Sequence, residues 1–294
     1  MSLRLGPMTV HGLVEGRLAL DGGAMFGVVP RTLWERRFVP DERNRISLVT
    51  RSMLVEVGAR LILVDLGMGS RWDGKHRAMY GLEGSQGLGA DGTAGRHGLD
   101  TSLAQLGRTR ADITDVVLSH LHFDVAGGTT REEGGELRLS FPRATVHLQR
   151  RQWKWAHQPT EKDAGSFRRD DFALLERSGL LHLLEGATEL YAGVNLFVSE
   201  GHTVGMQLVR LEAEEQTLVF CADLIPTTAH LHAPWISAYD LYPLTAIEEK
   251  RQLLAQAVEE GWKLFFSRDP HVAICTVKDD GSGQVVVDRV LAPA

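Results

Sequence analysis

Short apolar runs of strand length recur along most of this sequence, and they limit the folds that the chain can adopt. Branched and aromatic residues dominate these runs and turn-forming residues bound most of them, which is typical of buried β-strands. The predicted strands are residues 53–57, 60–66, 115–119, 144–148, 195–200, 206–211, 217–223, 263–267 and 284–290. Helical patterns lie between some of them, so the sequence predicts the α/β class with some antiparallel pairing.

The clearest helical pattern covers residues 245–262. Thr245 and Glu248 have the spacing of a capping box, apolar residues fall on one face, and Gly261 is placed to end the helix. We therefore predict a helix that begins at Thr245 and stops just before Gly261.

No Pro-rich or Ser-rich linker and no short repeat divides the chain, so we expect one domain over residues 1–294. Residues 80–99 are unusual because glycine recurs there without apolar periodicity. We expect a surface loop at 80–99, and a flap over an active site is the alternative.

The net charge of −6 argues against a general affinity for nucleic acid or for an anionic membrane, since both partners require a basic face. The basic and aromatic segment 150–159 is accordingly interpreted as a solvated helix with inward-packing tryptophans. Cys221 and Cys275 are too few for a disulfide framework, and no run of eighteen apolar residues or signal-like segment occurs. These features favour a cytoplasmic protein.

The stretch SHLHFDVAGG places His120, His122 and Asp124 at alternate positions directly after a predicted strand. In an extended backbone, alternate side chains face the same way, so these three can converge on one point. Imidazole nitrogens together with carboxylate oxygens suit Zn²⁺, and also Fe or Mn. The stretch therefore predicts part of a metal site.

Three further predicted strands run directly into polar residues of the same chemical types. His202 follows residues 195–200, Asp223 ends the strand 217–223, and Arg268 follows the strand 263–267. If these strands share a sheet and a direction, their ends bring the polar side chains to one rim, where α/β enzymes tend to build sites.

The segments SHLHFDVAGG, EGHTVGMQ, FCADLIPT and FFSRDPH, in this order, resemble those of the metallo-β-lactamase fold hydrolases. Within that superfamily they are most similar to the branch that contains the N-acyl homoserine lactone lactonases. Residues 63–70, LVDLGMGS, also resemble the family's early strand and turn, so the resemblance covers nearly the whole chain. It implies an αββα sandwich, with two mixed sheets flanked by helices, a metal site at one edge, and hydrolysis by a metal-held hydroxide.

The resemblance also implies a set of metal ligands. His120, His122 and His202 match the three histidines that bind the family's first metal ion. Asp223 matches the carboxylate that bridges two metal ions, and Asp124 matches a ligand of the second ion.

The second metal site departs from the family pattern at two positions. Val125 and Arg268 stand where the family has histidine ligands. Without a second metal ion, Asp124 and Asp223 would repel each other unless a positive group took its place, and a guanidinium keeps its charge at ordinary pH. We therefore hypothesise that Arg268 replaces the second ion; the alternative is a shifted loop in which His271 becomes a ligand.

These residues predict a mononuclear hydrolase that acts on a lactone, an ester or a thioester of a small acyl molecule. In this hypothesis Arg268 stabilises the developing oxyanion and Asp124 relays a proton to the leaving group. The alternative is a catalytically silent member of the family that binds a small acyl ligand. Either protein is compatible with a homodimer.

Aromatic and apolar residues in two segments are candidates for an acyl pocket. Residues 22–34 supply Met25 and Phe26, and residues 234–243 supply Trp235 and Tyr239; core packing is the alternative for each. Some lactonases have a tyrosine three residues after the bridging carboxylate. Here Pro226 stands there, which weakens the expectation of a lactone specifically.

Overall fold

A computed structural model describes residues 1–82, 87–88, 94–96 and 98–293. Within these residues the strands are β1 (Ser2–Leu5), β2 (Met8–Asp21), β3 (Arg45–Val57), β4 (Arg60–Val64), β5 (Gly87–Leu88), β6 (Ala94–Arg96), β7 (Asp115–Val117), β8 (Thr130–Glu133), β9 (Glu136–Leu139), β10 (Thr145–Gln149), β11 (Leu181–Leu184), β12 (Thr188–Tyr191), β13 (Val194–Ser199), β14 (Met206–Ala213), β15 (Gln216–Phe220), β16 (Lys263–Phe265), β17 (Val272–Asp279) and β18 (Val285–Pro293). Half of the glycine-rich segment 80–99, for which we predicted a surface loop, lies outside the described residues.

The α-helices in the same part of the chain are mostly short. They are α1 (Gly22–Phe26), α2 (Arg31–Trp34), α3 (Gly74–Met79), α4 (Gly98–Gln105), α5 (Phe123–Ala126), α6 (Arg150–His157), α7 (Arg169–Phe172) and α8 (Pro243–Glu259). None of these helices combines the length and the apolar content needed to cross a membrane.

The chain forms two compact units, and each is discontinuous in sequence. Unit 1 comprises residues 1–6, 19–48 and 186–294, and unit 2 comprises residues 7–18 and 49–185. The single domain inferred from the sequence stays a prediction.

Unit 2 is built on a mixed sheet in which β2, β3, β4, β7, β10 and β11 follow one another. Strands β4, β7, β10 and β11 are parallel neighbours, and β3 pairs with β4 in the opposite direction. Val64 and Val117 are paired at the ends of β4 and β7. The loops that begin with Asp65 and Leu118 therefore leave the same edge of the sheet side by side.

Unit 1 contains a mixed sheet in the order β12-β13-β14-β15-β16-β17-β18. β15 and β16 are parallel and end in register at Phe220 and Phe265, while the other neighbours are antiparallel. The Cys221 amide donates to the Phe265 carbonyl at 3.0 Å, which keeps the two following loops together. Asp223 and Arg268 each lie three residues beyond the paired ends, so the register brings them close.

The structure confirms the predicted α/β class and its two mixed sheets, whereas the predicted start of the long helix is wrong. Helix α8 begins at Pro243 rather than after Thr245, and Tyr242 is its N-cap residue without a side-chain cap. Proline suits a first helical position because its missing N–H has no partner to lose there. Gly261, with φ of +67°, lies just beyond the end of the helix, as predicted.

Candidate functional site

Two histidines lie together in unit 2, directly after β7. The ring centroids of His120 and His122 are 4.5 Å apart and their planes are inclined at 81°. Both residues are buried, with 0% and 5% exposure. The parallel edge of the sheet thus presents two imidazoles at one point, as the alternation of the motif predicts for this pair.

A hydrogen-bond chain sets the protonation of the His120 ring. The carboxylate of Asp65 accepts the Ser119 amide at 2.7 Å and the Ser119 hydroxyl at 2.8 Å. The same hydroxyl lies 2.9 Å from Nδ1 of His120. Because its only proton is given to Asp65, the hydroxyl accepts from Nδ1–H, and Nε2 of His120 then carries a lone pair. In the sequence, Asp65 belongs to the segment that resembles the family's early turn.

The extended backbone predicted through Asp124 is wrong, because it ends at His122. His122 is the N-cap of helix α5, and Asp124 lies in the first turn of that helix, partly buried. Val125 is 2% exposed, and its carbonyl accepts the Leu66 amide at 2.9 Å. The Asp124 side chain therefore extends from a helical turn rather than from a strand. The apolar side chain of Val125 is buried in the interior.

The carboxylate of Asp223 and the guanidinium of Arg268 form a two-point ion pair in unit 1. Nε of Arg268 donates to Oδ1 at 3.1 Å and Nη2 donates to Oδ2 at 3.2 Å. The side chain of Arg268 is 4% exposed and that of Asp223 is 11% exposed. A planar fork on a carboxylate is the strongest geometry available to this pair, so Arg268 neutralises Asp223 directly.

His202 lies beside this pair in the same unit. Its Nδ1 is 2.8 Å from Oδ1 of Asp240, and its Nε2 is 3.7 Å from Oδ2 of Asp223. Ser237 donates its amide to the other oxygen of Asp240 at 3.1 Å. A carboxylate facing Nδ1 holds the proton there, which leaves the lone pair on Nε2 directed toward Asp223. Sequence reasoning missed Asp240, because no motif links it to a histidine 38 residues earlier.

Asp269 and His271 build the turn after Arg268. The Asp269 carboxylate accepts the amide and hydroxyl of Thr228 at 2.8 and 2.7 Å, and the amides of His271 and Val272 at 2.8 and 2.9 Å. His271 is exposed, and its ring lies 6.5 Å from that of Phe38. In unit 1 it is therefore Arg268, rather than His271, that the turn directs at Asp223.

The four residues predicted to contact an acyl group differ in exposure. Phe26 is 0% exposed and stacks on His230 at 4.8 Å, while Met25 is 4% exposed. Trp235 is partly buried and meets the Phe26 ring edge-on at 5.6 Å, and Tyr239 is 38% exposed. Met25 and Phe26 pack in the interior, and the other two reach the surface.

A cavity of about 210 Å³ opens in unit 2 beside the histidine motif. The Arg168 guanidinium lies 4.1 Å from the Trp72 ring centroid, and the Tyr80 ring lies 5.0 Å from that of Phe123. Burial and, secondly, the charge of Asp124 raise the pKa of the Tyr80 hydroxyl. The lining residues are Arg71, Trp72, Asp73, His76, Tyr80, Phe123, Gly165 and Arg168. Sequence reasoning missed this cavity because its aromatic residues follow no regular spacing.

Comparison with known families and curated proteins gives consistent relationships. The sequence profile of the Metallo-beta-lactamase superfamily matches residues 47–268. Proteins named N-acyl homoserine lactonase AttM are 28% identical in Rhizobium johnstonii and 29% identical in Azorhizobium caulinodans, in each case over 174 residues and 56% of this chain. The chain covers 61% of the length of each of these relatives.

Solved structures extend the likeness to nearly the whole chain. A probable metal-dependent hydrolase from Staphylococcus aureus has a TM-score of 0.85 and 27% identity, with 99% of this chain and 100% of that one covered. AidC, a dizinc quorum-quenching lactonase solved with the product N-hexanoyl-L-homoserine, has a TM-score of 0.79 and 21% identity, with 99% and 98% covered. The second likeness concerns the fold alone.

Proposed function

This chain belongs to the metallo-beta-lactamase superfamily, and we propose that it is a hydrolase that uses one metal ion to open a lactone, an ester or a thioester. In this proposal His120, His122 and His202 bind the ion and Asp223 completes its ligands. The observation that carries the proposal is the tautomer set for two of these histidines. Nδ1 contacts Ser119 in His120 and Asp240 in His202, so Nε2 carries the lone pair of each ring.

The chemistry of these side chains fits a metal ion of the zinc type. Neutral imidazoles and a carboxylate suit Zn²⁺, and Fe or Mn would accept the same ligands. In unit 1 the lone pair of His202 Nε2 faces an oxygen of Asp223 at 3.7 Å. Two acceptors at this distance suit two ligands of one tetrahedral ion, because metal–ligand bonds of about 2.1 Å separate such atoms by roughly 3.4 Å.

The same residues support one ion rather than two. Arg268 occupies both oxygens of Asp223, the carboxylate that would bridge a pair of metal ions. Val125 is buried and has no donor atom. A second ion would need to displace a guanidinium and would lack a histidine ligand, so we propose a mononuclear centre.

When bound, a zinc ion with three histidine ligands lowers the pKa of a coordinated water to about 7 and so supplies a nucleophile at neutral pH. As the alternative to completing the ligands, Asp223 would orient the attacking water; in either case Arg268 stabilises the negative charge that develops on the carbonyl oxygen. Asp124, partly exposed in the first turn of α5, transfers a proton to the leaving oxygen or sulfur.

The substrate in this proposal is a small acyl molecule. In unit 2 the aromatic cavity beside Phe123 supplies apolar surface for an acyl group. In unit 1 the candidates for acyl contact are Trp235 and Tyr239, which reach the surface, together with the buried Met25 and Phe26. The names of the curated relatives favour a lactone, whereas Pro226 replaces the tyrosine of some lactonases and keeps esters and thioesters in the proposal. A cytoplasmic location and a homodimer also stay part of it.

A second candidate function is a silent family member that binds a small acyl ligand without turnover. The observation that favours it is the closed second site, in which Arg268 neutralises Asp223 and Val125 fills the interior. The two candidates differ in whether the histidines hold a metal ion.

Metal content per chain, measured on protein purified without added metal, tests both candidates. About one equivalent of zinc, iron or manganese supports the mononuclear hydrolase. Two equivalents would contradict the role of Arg268, and no metal, even after dialysis against zinc, would favour the silent binder. The double variant Val125→His with Arg268→His should raise the content toward two, since it restores both missing donors.

Turnover of matched lactones, esters and thioesters then identifies the substrate class. The variant His122→Ala is the control, because it removes one metal ligand and should abolish turnover. Activity that survives in this variant would come from a contaminant or from a different site. Equal inactivity of both proteins on every substrate, together with bound metal in the parent, would refute the hydrolase.

A further inference from the structure

A lysine is buried in unit 1 on the helix that packs against the sheet. Lys250 of α8 is 1% exposed, and its Nζ donates to the Trp235 carbonyl at 2.6 Å. Burial lowers its pKa to about 8, and the charge of Asp240 opposes that shift. An ammonium group is costly to bury without a partner, so its position needs a reason beyond packing.

Helix α8 holds both chain segments that surround His202. On one side, the Glu249 carboxylate accepts the Ser199 hydroxyl at 2.6 Å and the Glu200 amide at 2.8 Å. Gly201 lies so close that a Cβ there would be 2.4 Å from the Cα of Ala246. The strand end that leads into His202 is therefore fixed to this helix.

On the other side, the segment 235–242 fixes the histidine itself. Lys250 anchors its first residue, Trp235, and Asp240 accepts from Nδ1 of His202. The Leu241 amide donates to the His202 carbonyl at 3.1 Å. One short segment thus joins the buried ammonium to both the side chain and the backbone of a proposed metal ligand.

We propose that Lys250 is a positioning residue of the metal centre, which acts on His202 through Trp235 and Asp240. Its hydrogen bond fixes the start of the segment that places Asp240 against Nδ1 of His202. With Asp240 in this position, the proton of His202 stays on Nδ1 and the lone pair is on Nε2. The inference rests on the proposed function, because it assumes that His202 binds the metal ion.

The charges around this group agree with that role. His230 is also buried, and burial, with the charge of Lys250 second, lowers its pKa to about 4. It is therefore neutral at pH 7 and supplies no positive charge to Asp240. Asp269 also faces His230, but its carboxylate is bonded to the Thr228 amide and hydroxyl. The charges of Lys250 and Asp240 attract each other, since Asp240 opposes the fall in the pKa of the lysine.

The test compares Lys250→Met with Arg251→Met in the full chain. Both variants remove one cation from the same helix, but Arg251 is exposed. We expect Lys250→Met to bind zinc about tenfold more weakly in a competition titration with a chromophoric chelator, the scale of loss seen when a ligand's hydrogen-bond partner is removed. Arg251→Met should bind like the parent protein.

Nitrogen NMR of the metal-free protein gives a second readout. The parent should show His202 protonated at Nδ1, and Lys250→Met should show a mixture of the two tautomers. A merely structural lysine would leave the tautomer unchanged. If the methionine variant fails to fold, Lys250→Leu, which also removes the donor to the Trp235 carbonyl, takes its place in both measurements.

Asp240→Asn completes the comparison. If Lys250 acts through Asp240, the double variant should bind zinc as weakly as Asp240→Asn alone, because the two losses share one path. Parental zinc affinity and tautomer in Lys250→Met would overturn the proposal. Failure of the parent itself to bind zinc would instead refute the proposed function, while the tautomer measurement would still decide the role of Lys250.

Discussion

Replacing Arg268 with methionine should destabilise the metal-free protein, because it leaves the Asp223 carboxylate buried and unbalanced. The substitution removes two hydrogen bonds, of 3.1 and 3.2 Å, from a carboxylate whose side chain is only 11% exposed. Charge-assisted hydrogen bonds contribute roughly 1.5–3 kcal/mol each, which gives a loss of about 3–6 kcal/mol. The usual cost of removing one partner of a buried ion pair, about 3–5 kcal/mol, agrees with this figure.

The assay is urea unfolding at pH 7 with a chelator present, so that no metal ion replaces the guanidinium. At roughly 2–4 °C per kcal/mol, the melting temperature should also fall by ~10 °C. Arg289→Met is the matched control, since Arg289 pairs with Asp288 but is 75% exposed. That exposed pair should contribute less than about 1 kcal/mol.

The double variant Arg268→Met with Asp223→Asn separates the pair from general packing. A neutral amide removes the unbalanced charge, so the double variant should recover most of the lost free energy. A free energy of unfolding for Arg268→Met within about 1 kcal/mol of the parent would refute the reasoning, and so would a double variant that recovers nothing.

Three further substitutions test other parts of unit 2. Burial raises the pKa of Glu15 from 4.5 to about 7, so the folded state holds a proton that the unfolded state has lost between these values. Stability is therefore lost as pH rises through this window, and Glu15→Gln should stabilise the protein by roughly 3 kcal/mol in urea unfolding at pH 8 and much less at pH 4. Gly128→Ala would place a Cβ 2.2 Å from the Leu66 carbonyl oxygen and should lower the free energy of unfolding by about 3 kcal/mol or more. Gly74→Ala is the control, because its Cβ would lie in open space and should leave the free energy of unfolding close to that of the parent; thermal melts compare the two variants. Ser119→Ala removes the hydroxyl between Asp65 and His120 and should weaken zinc binding about tenfold in a chelator competition, with parental affinity contradicting the assigned tautomer.

The sequence predicts strands well where the apolar pattern is local. The predicted strand 217–223 covers β15 from its second residue and the predicted strand 263–267 covers all of β16, and the buried residues of both strands are apolar. The long strand β2 was missed, because its inward positions include His11 and Glu15, which are 7% and 2% exposed. A strand that buries ionisable groups does not alternate in hydropathy, so periodicity cannot identify it.

Helix α8 also shows which features a local sequence pattern can predict and which it cannot. Its charged sequence led to a correct helix prediction, but the start was wrong because Pro243 initiates it two residues before Thr245. Lys250 lies among the buried residues of its inner face, although lysine is ordinarily a marker of the exposed face. Which charged residue a helix buries depends on what faces it, here the segment that begins at Trp235.

In the candidate site, local motifs could be predicted from the sequence, whereas tertiary contacts could not. The motif around His120 and His122 is local, and its two rings are indeed adjacent. The carboxylates that set the ring tautomers of His120 and His202 are remote in sequence. Asp65 is 54 residues before Ser119, and Asp240 is 38 residues after His202. The sequence alone identifies the residue types of the proposed ligands. It does not identify which ring nitrogen of each histidine carries the lone pair, because a remote carboxylate decides that.

In the proposed mononuclear centre, the pairing of Arg268 with Asp223 links the absence of a second metal ion to the presence of the first. A carboxylate that bridges two metal ions depends on both for its charge balance, and an isolated buried carboxylate would raise its pKa and bind a proton. Arg268 removes that dependence, because its charge is present at every ordinary pH and in the absence of metal. Asp223 therefore keeps a charge partner beside Nε2 of His202, and the proposed first site keeps its carboxylate although the proposed second site lacks two of its donors.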